Sequence, residues 1–302
     1  MRIDNQRRSE NFEDRGRGRG GGGGGGGRLF GLLLRALGWK GMLVALVALA
    51  GIYFLAPEGV KQSIFGAVLG GGGGGSAGGA ICEASPEHAQ ACDFSRAVLA
   101  STEDVWRAQF ERGALPAYGA AAPREYPLPT LVVFGDAVQT GGCGSATSDV
   151  GPFYCPADRK LYIDPSFYRV MAEQLRAPGD FAQAYVLAHE VGHHVQNVIG
   201  AMRVRMPGES EAQISVRVEL QADCLAGVWG HTARSSLQID EADLAEALGA
   251  AHAIGDDTLG HSDPRAFTHG SSAQRVRWFR RGFESGDPRQ CDTFAVRDPA
   301  QL

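Results

Sequence analysis

The sequence predicts one α+β domain that follows a single N-terminal transmembrane helix. Three observations support this: a globular composition, one long stretch without charges, and a pattern that changes from helical to strand-like and back to helical. With 44% hydrophobic and 21% charged residues, the composition excludes collagen, a fully disordered chain and a multi-span membrane protein. Two glycine tracts, residues 20–27 and 70–75, cannot join a core. We therefore expect a folded part of roughly 200 residues.

The first 40 residues form a basic tail, rich in glycine and arginine, that we predict to be cytoplasmic. They carry nine basic and four acidic residues, whereas the whole chain has a net charge of -5. The acidic remainder argues against a nucleic-acid partner. Arg15, Arg17 and Arg19 lie beside glycines, as in RNA-binding segments. A short basic tail before an apolar stretch more often sets membrane orientation, so we expect no nucleic-acid partner.

Residues 41–56, GMLVALVALAGIYFLA, form the predicted transmembrane helix. The stretch carries no charge but is slightly shorter than the roughly 20 residues that a spanning helix needs. Trp39 and Tyr53 suit the two membrane interfaces, and the Lys40 side chain can extend toward water. A cleavable signal peptide is the competing interpretation, which a tail of 40 residues disfavours. We expect a single-pass protein of the inner membrane, with its N-terminus in the cytoplasm and its domain in the periplasm or outside the cell.

Residues 57–80 are predicted to be a flexible glycine-rich linker, which leaves residues 81–302 for the domain. The first predicted element of the domain is an amphipathic helix over residues 94–110, with Thr102 and Glu103 in its solvated intervals. Its apolar side chains recur at helical spacing: Val98, Val105, Trp106 and Phe110.

Three short strands are predicted next, at residues 130–134 (TLVVF), 153–155 and 161–163. Each is rich in apolar, β-branched or aromatic residues and is bounded by Gly, Pro or Asp. From Asp164 onward the pattern is helical. A small sheet with helices before and after it is the arrangement of an α+β domain.

Six cysteines lie after the predicted membrane segment and none lies before it. An even number in an exported domain predicts disulfides, although six cysteines allow 15 full pairings. A cysteine-rich metal site is disfavoured because the sequence has no C-x2-C pair. Proximity along the chain favours Cys82 with Cys92 and Cys143 with Cys155, which leaves Cys224 with Cys291.

The string AHEVGHHVQ, residues 188–196, contains His189, Glu190 and His193 in an H-E-x-x-H arrangement. On a helix, the two histidines lie one turn apart on one face and can point at one ion. Apolar residues spaced along the same helix form an opposite stripe, so we expect the helix to line a cleft. Glu190 would then take a proton from a metal-activated water, as a general base.

A third metal ligand is predicted in ELQAD, residues 219–223, on the next helical segment. Glu219 and Asp223 are four residues apart and share a face, which costs a helix stability unless a cation compensates the two charges. We expect Glu219 to bind the metal and Asp223 to accept the free N–H of a ligating histidine. The predicted cofactor is Zn²⁺.

These strings resemble a known family. HEVGHHVQ followed by ELQADCLAGVW resembles the bacterial neutral zinc metallopeptidases of the YpfJ type, and GPFYCPADRKLYIDPSFY, FTHGSSAQRVRWF and the opening RRSENFEDRGRG are similar to further stretches of that family. The resemblance covers the chain apart from the glycine tracts and the region from Cys82 to Cys92. It implies a zincin-like fold, in which a glutamate is the third zinc ligand and a small mixed sheet lies beside the active-site helix.

The resemblance also implies how a substrate is held. By that analogy, Leu161 to Ile163 would be the edge strand along which an extended peptide pairs. A wider similarity to membrane-anchored zincins, in which a Thr-His pair precedes an arginine, falls on Thr268, His269 and Arg275. His269 would stabilise the oxyanion, and Arg275 would hold the substrate or brace the site. The alternative is that Thr268 caps a helix and His269 is an ordinary surface histidine.

The function predicted from the sequence is that of a membrane-anchored zinc peptidase acting on a peptide or protein substrate. The rival hypothesis is a non-enzymatic, membrane-anchored envelope module in which zinc is structural or the cleft only binds a peptide or partner protein. The intact H-E-x-x-H argues against the rival, because a structural site closes its fourth position and has no use for Glu190. The sequence leaves the substrate and the oligomeric state open.

Overall fold

The computed structural model describes residues 1–18, 79–119 and 123–302. The predicted transmembrane segment, residues 41–56, and nearly all of the predicted linker lie outside these ranges. Among the helices of the described ranges, none combines the length and apolar character that a membrane crossing requires. The described residues have the mixed α+β arrangement that the sequence predicts.

From the helix Pro86–Arg112 onward the described elements follow the predicted order of helix, strands and then helices, whereas the strands Phe12–Arg17, Ala137–Gln139 and Ser145–Thr147 were not predicted. The strands are β1 (Phe12–Arg17), β2 (Thr130–Gly135), β3 (Ala137–Gln139), β4 (Ser145–Thr147), β5 (Phe153–Cys155) and β6 (Lys160–Ile163). The helices are α1 (Pro86–Arg112), α2 (Phe167–Glu173), α3 (Asp180–Ile199), α4 (Glu211–Ala233), α5 (Glu241–Ala253) and α6 (Ser272–Ser285). Helix α1 begins at Pro86 rather than Phe94, because the Ser85 side chain caps it by accepting from the His88 amide.

The larger sheet of the described residues is mixed, with strand order β1-β2-β6-β5. Strands β1 and β6 run parallel to β2, and β5 runs antiparallel to β6. Within this sheet, β1 and β5 are therefore the edges and β6 is an interior strand. Strands β3 and β4 form a separate antiparallel hairpin.

The sheet buries both faces. Side chains of β2 alternate, so that Leu131 and Val133 join the large core among the helices, while Val132 and Phe134 join a smaller cluster on the other face. The hairpin residue Val138 packs into that smaller cluster. One face of the sheet thus carries the helices that hold the site, and the other is closed by the hairpin.

Helix α3 lies at the centre of the helical layer, where it contacts α1, α4 and α5. Helices α4 and α6 cross very closely because each contributes a glycine at the crossing. A Cβ on Gly282 would lie 1.9 Å from the Cys224 carbonyl oxygen, and one on Gly227 would lie 2.1 Å from the Phe279 carbonyl oxygen. The crossing therefore fixes α4, which carries the predicted third metal ligand, against α6, which carries Arg275.

The structure contains the two disulfides that proximity along the chain favours and the third pair that they leave. They join Cys82 to Cys92, Cys143 to Cys155, and Cys224 to Cys291. The third connects α4 to the segment after α6 and closes the longest loop, with a sequence separation of 67.

Residues 1–18 belong to the folded domain, which corrects the prediction that the domain starts at residue 81 and that this part of the tail is separate from it. Strand β1 pairs with β2 along its length. Thr102 and Glu103 of α1 are 0% and 1% exposed rather than solvated. Glu103 is buried because Arg7 and Ser9 donate hydrogen bonds to its carboxylate.

Candidate metal centre

Helix α3 carries His189, Glu190 and His193. These residues are nearly buried, with 5%, 8% and 8% of their surface exposed. The helix ends at Gly200, whose φ of 85° is the left-handed conformation that commonly terminates helices. The apolar stripe that fixes the helix in the core comprises Phe181, Ala184, Ala188, Val191 and Val195. The motif therefore lies on a helix that is rigidly packed.

Helix α4 brings Glu219 to this motif. The helix begins with a capping box, in which Ser210 and Gln213 each accept a hydrogen bond from the other's backbone amide. Gly192, inside the H-E-x-x-H motif, allows the close approach of the two helices. A Cβ there would lie 3.0 Å from the Ala222 carbonyl oxygen. A larger residue would push α4, and with it Glu219, away from the histidines.

Three potential ligands converge between the two helices. His189 Nε2 lies 3.1 Å from Glu219 Oε2, and His193 Nε2 lies 3.4 Å from Glu219 Oε1. One ligand atom from each residue lies within 4.8 Å of the others. Two imidazole nitrogens and one carboxylate oxygen are the protein donors of a catalytic zinc site, which keeps a fourth position for water or substrate. The residues present therefore fit zinc.

Asp223 orients His189, as the sequence predicts. The Nδ1–H group of His189 donates to Asp223 Oδ1 over 2.8 Å, which leaves Nε2 directed toward Glu219. A carboxylate only accepts, so this contact fixes the histidine tautomer. Tyr185 Oη donates to the same carboxylate over 2.6 Å, and the Arg275 guanidinium donates to both of its oxygens at 2.9 Å. The carboxylate is fully buried and fully hydrogen-bonded.

Arg275 is buried behind the site, an arrangement that fits the predicted bracing role and gives no support to the predicted contact with substrate. It is 2% exposed. Besides Asp223, its guanidinium donates to Tyr185 Oη and to the Ile254 carbonyl oxygen. A guanidinium whose donors are directed to buried protein groups has no free face for a substrate.

His193 is oriented by Gln196, which the sequence analysis missed. His193 Nδ1 lies 2.8 Å from Gln196 Oε1, and the Gln196 amide in turn donates to the Val218 carbonyl oxygen and to Gln221 Oε1. The available signal was spacing, because residues three apart on a helix are neighbours. Both candidate histidine ligands thus have an acceptor on Nδ1 and present Nε2.

The charges of the site are strongly coupled. Burial alone would lower the pKa of His189, but Asp223 and Glu219 raise it to about 10. Burial would raise the pKa of Glu219, yet His193 and His189 hold it well below its usual range. Burial raises the pKa of Glu190 against the opposing effect of the two histidines. The site therefore holds one firmly ionised carboxylate, Glu219, and one more basic carboxylate, Glu190.

His269 lies at the edge of this site and is held by Asp256. Its Nδ1 lies 3.2 Å from Asp256 Oδ1, and the other oxygen of Asp256 accepts the backbone amides of Thr268, His269 and Gly270. Burial lowers the pKa of His269, but Asp256 and Glu219 together raise it. The His269 side chain is 42% exposed, so its Nε2 is available to another group. Asp256, thirteen residues upstream, carried no sequence signal.

The predicted edge strand is wrong. Leu161 and Ile163 are 0% and 1% exposed, and β6 lies between β2 and β5. The edge on that side of the described sheet is β5. Tyr154 of β5 contacts the active-site helix, since its Oη lies 3.0 Å from His194 Nδ1 and accepts from Asn197. A strand added to this sheet beside α3 would therefore pair with β5.

An H-E-x-x-H helix beside a small mixed sheet, with a glutamate donor on a later helix, is consistent with a zincin-like metalloprotein. The sequence profile of the family described as "Putative neutral zinc metallopeptidase" matches residues 1–294. The chain therefore belongs to this family.

Two relatives illustrate the family. The chain is 49% identical over 221 residues to the uncharacterized protein YpfJ of Escherichia coli K12, covering 70% of this chain and 74% of that protein. It is 44% identical over 190 residues to an uncharacterized protein of Mycobacterium bovis, covering 57% of this chain and 64% of that protein. No solved structure matches the chain.

Proposed function

We propose that the protein is a zinc peptidase that hydrolyses peptide bonds with a water molecule as the nucleophile. The observation that carries this proposal is the convergence of His189, His193 and Glu219 within 4.8 Å, beside Glu190. A zinc ion held by these three residues would supply Lewis-acid activation of the water and of the scissile carbonyl. The description of the family supports a zinc peptidase, whereas the names of the relatives state no activity.

Glu190 is the proposed general base. It follows His189 directly on α3, and burial raises the pKa of its carboxyl. A carboxylate of raised pKa accepts a proton from water more readily and can later return that proton to the leaving amine. No covalent intermediate with the protein is needed. His269, held by Asp256, would donate from Nε2 to the oxyanion of the tetrahedral intermediate.

The proposed substrate is an extended segment of a peptide or protein. In the described sheet, β5 is hydrogen-bonded on one side only, to β6. An extended chain that pairs with the free side would gain backbone hydrogen bonds while running past α3. This mode of binding selects for extended backbone and places few demands on side chains.

The proposed location of the domain is outside the cytoplasm. The six cysteines form three disulfides in the structure, and disulfides persist in oxidising compartments. Attachment to the inner membrane through residues 41–56 remains a prediction from the sequence. We propose no nucleic-acid partner.

The decisive experiment compares zinc content and proteolysis in three forms of the full chain: the parent, Glu190→Gln and Glu219→Ala. We expect one zinc per chain in the parent and in Glu190→Gln, and cleavage of an unfolded protein such as casein by the parent alone. Glu190→Gln should lose at least about 100-fold in rate, and Glu219→Ala should lose most of its zinc. Glu284→Gln, a change on the exposed surface of α6, is the matched control.

Two outcomes would contradict the proposal. A folded parent that binds no zinc when zinc is supplied would exclude the metal centre. A parent that binds one zinc but cleaves no substrate, and in which Glu190→Gln changes nothing, would favour the non-enzymatic module.

A further inference from the structure

Strand β1 ties the N-terminal segment to the domain that carries the metal centre. In the register of β1 and β2, Phe12 lies opposite Leu131 and Asp14 lies opposite Val133. The Leu131 amide donates to the Asn11 carbonyl oxygen over 2.9 Å. Strands paired in this way lie about 4.8 Å apart.

Side chains of the same segment also form hydrogen bonds with helix α1. The carboxylate of Glu103, which is 1% exposed, accepts from three of them: Arg7 Nη2 at 2.8 Å, Ser9 Oγ at 2.6 Å and Asn11 Nδ2 at 2.8 Å. Three polar groups that converge on one buried carboxylate form a specific contact, because a buried charge is costly unless it is fully hydrogen-bonded.

Asp14 of the same segment binds the backbone near the start of the range 79–119. Both carboxylate oxygens of Asp14 accept backbone amides there, from Ile81 and Cys82, at 2.9 Å each. Arg8 forms a two-pronged ion pair with Asp93 of α1, at 2.7 and 2.6 Å. Hydrogen bonds therefore join residues 1–18 directly to the residues that follow the range 19–78.

We infer that residues 1–18 lie on the same side of the membrane as the metal centre. The hydrocarbon core of a bilayer is about 30 Å thick, and neighbouring strands lie about 4.8 Å apart. A chain whose N-terminus stayed in the cytoplasm while its domain was exported could not form this sheet. The inference therefore replaces the predicted single crossing by residues 41–56 with an arrangement that leaves residues 1–18 and the domain on one side. The inference is independent of catalysis, since it rests on β1, α1 and the contacts of Asp14.

Two basic residues of the tail, Arg7 and Arg8, pair with acids of the domain. Arg7 pairs with Glu103 and Asp104, and Arg8 pairs with Asp93. Unpaired basic residues beside an apolar stretch favour a cytoplasmic position of that flank. Arginines that pair with acids of the domain instead hold the segment on the domain. Part of the charge count that predicts a cytoplasmic N-terminus, Arg7 and Arg8, therefore docks the segment on the domain.

The test is chemical labelling of the full chain in bacterial spheroplasts. Asn5→Cys and Gln301→Cys each place a thiol at an exposed position, one in the N-terminal segment and one near the end of the domain. The six native cysteines are disulfide-bonded, so the parent serves as the unlabelled control. A membrane-impermeant maleimide is applied before and after permeabilisation.

We expect the two thiols to behave alike, both labelled in intact spheroplasts or both only after permeabilisation. Labelling of Gln301→Cys in intact spheroplasts while Asn5→Cys reacts only after permeabilisation would overturn the inference. So would the reverse pattern.

A second measurement tests the docking itself in the purified full chain. Arg8→Asp should lower the Tm by about 2 °C or more, and Arg8→Asp combined with Asp93→Arg should restore it. Arg265→Asp is the control, since Arg265 pairs only with the nearby exposed Asp263. A Tm unchanged by Arg8→Asp, with no restoration in the double variant, would contradict docking through the ion pair of Arg8 with Asp93.

Discussion

Replacing Asp223 with asparagine tests the buried charge network behind the metal centre. Asp223 is 0% exposed and is the carboxylate partner of Arg275, which is 2% exposed. Asparagine keeps the shape of the side chain but removes the charge, so the guanidinium stays buried beside a neutral amide. Breaking a buried ion pair by removing one partner costs about 3–5 kcal/mol. Because the amide can still accept one hydrogen bond, we expect the free energy of unfolding to fall by about 3 kcal/mol, the lower end of that range.

The assay is thermal and urea unfolding of the metal-free full chain, so that zinc does not contribute to the stability. A loss of about 3 kcal/mol should lower the Tm by about 6–12 °C in a domain of this size. Glu241→Gln is the control. It breaks the ion pair between Glu241, which is 80% exposed, and Arg234, and such surface pairs contribute about 0–1 kcal/mol. In a separate titration, Asp223→Asn should weaken zinc binding by about 10–100-fold, because His189 loses the acceptor that orients it.

The double variant distinguishes this explanation from a general loss of packing. Arg275→Met removes the guanidinium and keeps much of its volume, so Asp223→Asn with Arg275→Met contains no unpaired buried charge. We expect the double variant to be more stable than Asp223→Asn alone. Two results would refute the reasoning. One is a loss of unfolding free energy below about 1 kcal/mol in Asp223→Asn. The other is a double variant whose loss equals the sum of the losses in the two single variants.

Three further predictions concern other parts of the domain. His269→Ala should lower kcat by about 100-fold or more with little change in KM and no loss of bound zinc, as measured by steady-state kinetics and metal analysis, because its donor acts on the transition state. Burial lowers the pKa of His194 to about 4, below the unfolded value of about 6.5, so the unfolded state binds more protons between these pH values. The free energy of unfolding should therefore fall by up to about 3 kcal/mol as the pH drops from 6.5 to 4; urea unfolding across that range should show this slope in the parent and a weaker one in His194→Gln. Replacing Cys224 and Cys291 with alanine should cost about 4 kcal/mol, because their loop has a sequence separation of 67; a urea-unfolding loss no larger than that from removing the shortest disulfide loop would contradict this loop-length argument.

The candidate site was largely predictable because its chemistry restricts both residue type and spacing. Two histidines four residues apart on a helix can share one ion, and the like-charge pair Glu219 and Asp223 needs a cation or an arginine nearby. The structure provides the arginine, since Arg275 pairs with Asp223. Patterns of this kind survive without knowledge of the fold because they depend on one helix at a time.

The parts that were mispredicted depend on the order of elements in space. Short strands such as β5 and β6 have similar compositions, and nothing in a segment of three or four residues states which of them lies at the edge. The orientation of His269 depends on Asp256, which lies across a loop. The Asp256 carboxylate accepts hydrogen bonds from three backbone amides around His269. Side-chain contacts across loops leave no periodic signal, so sequence patterns predict the metal ligands better than the residues that position them.

The N-terminal segment shows how one observation can support two interpretations. Its excess of arginine is real, and beside an apolar stretch it predicts a cytoplasmic tail. Arg7, Arg8, Ser9 and Asn11 of this segment provide donors for the acids of α1. A count of charges cannot distinguish arginines that face lipid headgroups from arginines that face Asp93 and Glu103, because the partners lie more than eighty residues away in the chain. The acidic remainder argues against a nucleic-acid partner, and an acidic domain behind a basic tail is also the composition that lets the two bind each other.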